Sequence, residues 1–306
     1  MEHENPHLID LDQPLPGYRK FLSCWLWRAD DLTFIVDPGP MSTIGHLIAE
    51  LEARGVTCLD YVLVTHIHLD HSGGAAEVLA AFPDARLVCH ESGVAHLVSP
   101  DKLWAGSQRV LGKVAPVYGK PAPVPAERLA SFAEVLARGI KVIPTPGHAP
   151  HHMSFVFGDV LFAGEVAGTR CPLPDGRRYL RPATPPRFFL DDALSSIDRL
   201  LALDPMPTRF AFAHYGMDGD PRGWLLAARE QLVRWVDTIR SLIAQSRDGL
   251  EQRLFDTLVS IDPLYGSWPA LDGDIQQRER HFLRNTLDGM LGYIDAARKL
   301  EDRGNP

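Results

Sequence analysis

The chain has 306 residues, 45% of them hydrophobic and 23% charged, a balance that excludes a mostly disordered or fibrous protein and leaves room for about two domains, or one large domain with an appendage. A formal net charge of −8 argues against a broad phosphate-binding surface while permitting a local basic pocket. No unbroken apolar run exceeds five residues, Val78–Phe82 and Trp224–Ala228 being the longest, so nothing approaches the roughly 20 residues of a membrane-spanning helix. The first residues, Met1 to Pro6, carry no apolar stretch of the kind that exports a protein. Cys24, Cys58, Cys89 and Cys171 show no C-x-x-C spacing and read as reduced thiols. These features lead us to expect a cytoplasmic protein that binds neither nucleic acid nor membrane. Histidine is the unusual residue, with 13 copies concentrated in the middle of the chain.

The first 40 residues read as β. Phe21–Trp27 and Leu32–Val36 are apolar runs separated by a polar turn, a hairpin pattern that Asp37-Pro38-Gly39 ends. Ser42 or Thr43 then caps a helix running to Arg54, with Ile44, Leu47, Ile48 and Leu51 on one face. Tyr61–Val64 is a short buried strand that runs directly into Thr65–His71, followed by a helix over residues 73–82 and a strand at Arg86–Cys89. Residues 100–125 are rich in Pro and Gly and predict a long loop with one short helix at Lys102–Leu111. Strands follow at Lys141–Ile143, Ser154–Phe157 and Val160–Ala163. Residues 168–190 form a second long loop with five prolines and five arginines. Asp191–Leu203 is a helix and Arg209–Ala213 a strand ending at His214. Beyond Pro221, Trp224, Ala228, Leu232, Trp235, Ile239 and Leu242 recur every three or four residues; this stripe must be buried on the core or against a second subunit, giving a homodimer. Leu250–Ile261 and Arg278–Leu300 continue the helical pattern. The sequence therefore divides into an α/β part, residues 1–219, and a helical extension, residues 220–306.

His66-x-His68-x-Asp70-His71 places four metal-capable side chains within six residues, directly after a strand. Side chains at i and i+2 leave a strand end on the same side, so His66 and His68 can grip one ion while Asp70 and His71 face a neighbouring position. Imidazole and carboxylate together suit Zn, Fe or Mn.

Thr65-His-Ile-His-Leu-Asp-His-Ser-Gly-Gly74 resembles the T-H-x-H-x-D-H-x-G-G signature of the metallo-β-lactamase-fold superfamily. Further pieces appear in order: Asp37-Pro38-Gly39, Thr145-Pro-Gly-His148, Gly164-Glu165 and His214. The resemblance implies a four-layer αββα sandwich of the α/β class and two divalent transition-metal ions, Zn first, with Fe or Mn as alternatives. By the same resemblance His66, His68 and His148 hold one ion, Asp70, His71 and His214 hold the other, and an acid at position 165 bridges them. That acid is Glu165 where the family usually has Asp; it bridges both ions or binds only one. Asp37 is expected to hydrogen-bond a ligand histidine and set its tautomer.

Two ions about 3.5–4 Å apart share a water, lower its pKa and polarise the substrate oxygen, so no serine or cysteine nucleophile is needed. The implied activity is hydrolysis of a small ester, lactone or thioester, as in the lactonase and glyoxalase II-like branch. Asp70 is expected to orient the water and Tyr215 to donate a proton or hydrogen bond. Arg170, Arg177, Arg178, Arg181 and Arg187 suggest an anionic small-molecule substrate, unless they pair with Asp175, Asp191 and Asp192. His90 and one of His151 and His152 are further candidates to line the site; His3, His7, His46, His96 and His281 read as surface or structural. The alternatives are a mononuclear iron oxidoreductase of the persulfide dioxygenase type, a phosphodiesterase, and a binding module without activity. Leu69 and the missing flavin domain argue against a flavodiiron protein.

Overall fold

Two five-stranded sheets lie face to face in this computed structural model, which describes residues 5–304; His3 lies outside the described residues. The first sheet contains β1 (His7–Asp10), β2 (Ser23–Arg28), β3 (Thr33–Val36), β4 (Tyr61–Leu63) and β5 (Arg86–Val88), in that spatial order. The first three strands pair antiparallel and the last three parallel. Parallel pairing requires crossovers, supplied by α1 (Ile44–Ala53) between β3 and β4, and by the short α2 (Leu69–Ser72) with α3 (Ala75–Ala81) between β4 and β5.

Helices α4 (Glu91–Val98), α5 (Asp101–Leu111), α6 (Val114–Tyr118) and α7 (Phe132–Ala137) lead to the second sheet. Its strands are β6 (Lys141–Pro144), β7 (Met153–Phe157), β8 (Val160–Gly164), β11 (Arg209–Phe212) and β12 (Met217–Asp218), with β9 (Thr169–Arg170) and β10 (Leu180–Arg181) forming a separate ribbon. The spatial order is β12-β11-β8-β7-β6, and only the β8–β11 pair is parallel, its crossover carrying α8 (Leu190–Leu201). The chain ends in α9 (Pro221–Gln245), α10 (Leu250–Ile261) and α11 (Gly273–Gly304).

Three apolar clusters define the layers. Trp25, Phe34, Val36, Phe155 and Phe162 fill the space between the sheets. Leu47, Leu51, Val78 and Leu79 pack α1 and α3 onto the outer face of the first sheet. Ile197, Phe210, Trp224, Trp235 and Leu258 belong to the cluster on the outer face of the second. The order is helix, sheet, sheet, helix: the expected αββα sandwich with helices at the carboxyl-terminal end. The stripe on α9 is buried within the chain; Trp224 and Trp235 are both 0% exposed.

Several elements depart from the expected pattern. α4 and α7 lie where no helix was anticipated, because eight and six residues give too few turns for a clear helical period. The loop expected over 100–125 contains α6 as well as α5; Gly112 and Gly119, both at positive φ, end the two helices. The loop expected over 168–190 contains the β9–β10 ribbon, whose two-residue strands leave no alternation to read.

Candidate metal centre

The strand ends of both sheets converge on one edge of the sandwich. β4 delivers Thr65, His66 and His68, and α2 begins with Leu69 and Asp70. The β6–β7 loop carries His148, the end of β8 carries Glu165, and His214 follows β11. A hydrogen bond from Met153 N–H to the Thr65 carbonyl, at 2.8 Å, clips the sheets together beside the site.

All seven residues expected to bind metal come together. His66, His68, His148 and Glu165 form one group, and Asp70, His71 and His214 a second. Glu165 touches both: its Oε2 lies 2.9 Å from His148 Nε2, 3.3 Å from His66 Nε2 and 3.4 Å from His71 Nε2, and its Oε1 lies 3.2 Å from His214 Nε2. Asp70 Oδ2 stands 3.6 Å from His71 Nε2 and 3.8 Å from His214 Nε2, and lines the cleft above them.

The surrounding hydrogen bonds orient the rings. Asp37 accepts from Thr65 N–H with Oδ1, at 2.8 Å, and from the Thr65 hydroxyl with Oδ2, at 2.8 Å. Because that hydroxyl spends its proton on Asp37, its oxygen accepts from His66 Nδ1–H at 3.0 Å. His71 Nδ1–H donates to Asp37 Oδ2 at 3.2 Å. Asp37 thus governs both rings, one directly and one through Thr65, the positioning role expected of it. His148 Nδ1–H donates to the Ala183 carbonyl at 2.9 Å and His214 Nδ1–H to that of Phe21 at 3.1 Å. All four rings therefore turn Nε2 inward. His68 approaches with Nδ1, 2.9 Å from His148 Nε2.

This donor set fits a transition metal. Among the described residues the buried Nε2 atoms of His66 and His71 have no hydrogen-bond partner, an unfavourable state for a polar atom that a cation relieves. Burial and the neighbouring rings hold His66 and His68 well below the usual histidine range, which keeps their lone pairs free. Burial opposes charge on His71 too, yet Asp70, Asp37 and Glu165 outweigh it and raise its pKa well above normal. Glu165 stays ionised although burial opposes it, because His148 and His214 hold its pKa well below the carboxylate range.

His152 has a positioning role that its sequence context did not single out. It is fully buried, and its Nε2 accepts the Glu165 backbone N–H at 2.9 Å while Nδ1 donates to the Thr145 hydroxyl at 2.8 Å. Gly164 permits this approach: its φ is +60°, and a Cβ there would stand 2.3 Å from His152 Nε2. The position of His152 one residue ahead of β7 was the available signal. His151 and His96 line the cleft, whereas His90 caps α4 by accepting from Ser92 N–H. His46 Nε2 meets the Asp10 carbonyl at 3.1 Å.

Tyr215 is placed differently from the expectation. It does not line the cleft; its phenol faces Asp10, and burial and that carboxylate push its pKa up to about 12. Its backbone sits at φ +67°, turning the side chain away from His214. Four arginines of the 168–190 loop are also engaged elsewhere. Arg177 pairs with Asp175, Arg178 with Asp220, Arg181 with the buried Glu279, and Arg170 donates to the Tyr215 carbonyl. Arg181 and Arg187 both line the cleft, and among the described residues Arg187 is the one of the five without such a partner; Asp191 and Asp192 take no part. Phe188 and Trp224 are core residues, and the aromatic walls of the cleft are Phe21 and Phe282. α11 also supplies Asn285 and Thr286, so the carboxyl-terminal extension builds part of the wall. The cleft encloses about 510 Å³, room for a small organic substrate.

Residues 18–213 match the family model of the metallo-beta-lactamase superfamily. The chain is 30% identical over 210 residues, 65% of its own length and 75% of the relative's, to the metallo-beta-lactamase fold-containing protein ST1585 of Sulfurisphaera tokodaii. It is 28% identical over 212 residues, 67% of its length and 72% of the relative's, to a hydroxyacylglutathione hydrolase of Acidiphilium cryptum. The crystal structure of ST1585 superimposes with a TM-score of 0.65 at 22% identity, covering 95% of this chain and 99% of that one. The chain belongs to the metallo-β-lactamase superfamily and is a hydrolase of that superfamily.

Proposed function

We propose that the protein is a dinuclear metal-dependent hydrolase of a small ester, lactone or thioester. The observation that carries this reading is the Glu165 carboxylate, with one oxygen 2.9 Å from His148 of the first group and the other 3.2 Å from His214 of the second. In this reading His66, His68 and His148 would hold one divalent ion and Asp70, His71 and His214 the other, with Glu165 within reach of both, and Zn is the first candidate. When bound, such ions lower the pKa of a shared water and polarise a substrate carbonyl. Asp70, lining the cleft, would orient a water there through its carboxylate. Asp37 and Thr65 orient the rings of His71 and His66 so that each Nε2 faces the site, and His152 anchors the backbone from which Glu165 reaches. Phe21 and Phe282 exclude bulk water from one wall.

Similarity to hydroxyacylglutathione hydrolases favours an acyl thioester over a lactone. We assign catalysis to residues 1–219 and the closing of the cleft to the 220–306 extension through α11. The free thiols of Cys24, Cys58, Cys89 and Cys171 accord with a cytoplasmic setting. The experiment is metal content per chain after purification without chelator, measured beside turnover of lactones, thioesters and phosphodiesters. Near two ions and thioester or ester cleavage are expected, with His66→Ala and His68→Ala abolishing both the first ion and turnover. Full activity in either variant would refute the assignment.

A further inference from the structure

We propose that Lys102, Arg109 and Arg187 form an anion-binding subsite at the outer rim of the cleft, selecting esters or thioesters that carry a carboxylate or phosphate remote from the scissile carbonyl. The proposal rests on the hydrolase reading above and specifies its substrate class.

All three side chains line the cleft, all three residues are exposed, and none has a hydrogen-bond or ion-pair partner among the described residues. The contrast is local: Arg177, Arg178 and Arg181, from the same loop as Arg187, are all paired with carboxylates. Among the described residues the only carboxylates lining the cleft are Asp70 and Glu165, both committed to the metal groups. Three unneutralised cations therefore surround one mouth of a chain whose net charge is −8. A ligand entering it meets a field of opposite sign to that of the molecule as a whole, which concentrates anions there.

The supporting backbone is shaped for a ligand. Lys102, Gly106 and Arg109 follow at spacings of four and three on α5, one face of a helix, and all three line the cleft. α5 buries none of its residues fully. Gly106 weakens a helix, and a Cβ there would meet nothing within 4 Å, so packing does not demand it; glycine keeps the cleft wall open between the two cations. Arg187 holds a φ of +76°, rare for a side-chain-bearing residue, and lines the same cleft. Leu103 and Val110 supply apolar surface beside the cations, fitting a short hydrocarbon between the anion and the reacting carbonyl.

The test compares three acetyl thioesters: that of 3-mercaptopropionate, that of its neutral methyl ester, and that of 2-mercaptoethyl phosphate. Each is assayed with the metal-loaded wild-type protein, the triple variant K102A/R109A/R187A and the charge-preserving K102R/R109K/R187K. The wild type should favour an anionic substrate over the neutral one by about tenfold or more in kcat/KM, as for a charge-assisted contact, with the difference carried by KM. The preference should collapse towards one in the alanine variant, persist in the charge-preserving one, and fall with added salt. The preferred anion identifies carboxylate or phosphate. Equal use of charged and neutral substrates by the wild type, or an unchanged preference in the alanine variant, would overturn the proposal. Calorimetric titration with 3-(methylthio)propionate separates the two readings. If no thioester is cleaved but the anion binds and the alanine variant loses it, the hydrolase reading fails and the subsite stands; if the anion does not bind, the subsite fails.

Discussion

Shortening Glu165 by one methylene tests the dinuclear arrangement most directly. Glu165→Asp restores the residue usual in the superfamily, so family pattern alone expects it to be harmless. The geometry here expects the opposite. Removing one methylene withdraws the carboxylate by about 1.5 Å, turning contacts now at 2.9 Å to His148 and 3.2 Å to His214 into separations beyond hydrogen-bonding reach. The backbone cannot follow: Glu165 N–H is tied to His152 Nε2 at 2.9 Å, and Gly164 is wedged against that same ring and Thr65. An ion needs its carboxylate oxygen at roughly 2.0–2.2 Å, so a retracted carboxylate serves at most one ion. Loss of even an indirect support costs about 10–100-fold in metal affinity, and loss of a direct ligand at least as much, about 2.7 kcal/mol for a hundredfold. The assay is metal stoichiometry by elemental analysis, chelator titration of the weaker ion and kcat on the best thioester. Glu165→Asp should retain close to one ion and lose about a hundredfold or more in turnover. Glu165→Gln should also lose mainly one ion, because an amide is a poor ligand and carries no charge to balance the second cation. Two retained ions with wild-type turnover in Glu165→Asp would refute the reasoning. Metal near one per chain in all three proteins, with turnover hardly changed, would overturn the dinuclear reading and bring the iron oxidoreductase forward.

Asp37→Asn should keep the fold, since asparagine tolerates the φ of +54° found there, but weaken metal binding by about 10–100-fold; chelator titration checks it, and unchanged affinity would remove Asp37 from its role. The Arg181–Glu279 pair predicts an acid-dependent loss of stability. Arg181 and Arg278 offset the burial cost and hold Glu279 down to about 2, below its ordinary value, so its contribution is present above pH 4.5 and disappears as the pH falls from there towards 2; it amounts to roughly 3 kcal/mol. Denaturant unfolding at pH 6 and pH 3 should show this slope in the wild type, whereas Glu279→Gln should be destabilised by about 3–5 kcal/mol at pH 6 for want of a counter-charge and have a flatter pH dependence. Truncation after Gly219 should give insoluble protein, because Trp224 and Trp235, both fully buried, otherwise cover the second sheet; a soluble, active 1–219 fragment would show the extension to be dispensable.

Local chemistry made much of this protein legible in its sequence. Histidines alternating at the end of a short apolar strand, a D-P-G turn and the T-P-G-H segment have close spacings that constrain geometry before any long-range contact is known. The alternating strands and the tryptophan stripe of α9 likewise carry periods that survive in one dimension. What the sequence could not decide was direction and distance across the fold. Tyr215 follows His214 in the chain, yet a left-handed backbone at that residue turns its ring to Asp10. His152 is one of two adjacent histidines, and only the meeting of β7 with the end of β8 places it beneath Glu165. Of the five arginines of the second long loop, Arg177 pairs locally with Asp175, an alternative the sequence had offered, but only tertiary pairing neutralised Arg178 and Arg181 and left Arg187 facing the cleft. Lys102 and Arg109, from a distant helix of otherwise ordinary polarity, joined it there. Short-range spacing determined which residues can ligate a metal; long-range packing decided which charges are spent on the fold and which remain for a ligand, because a charge's partner is set by distance in space rather than by separation along the chain.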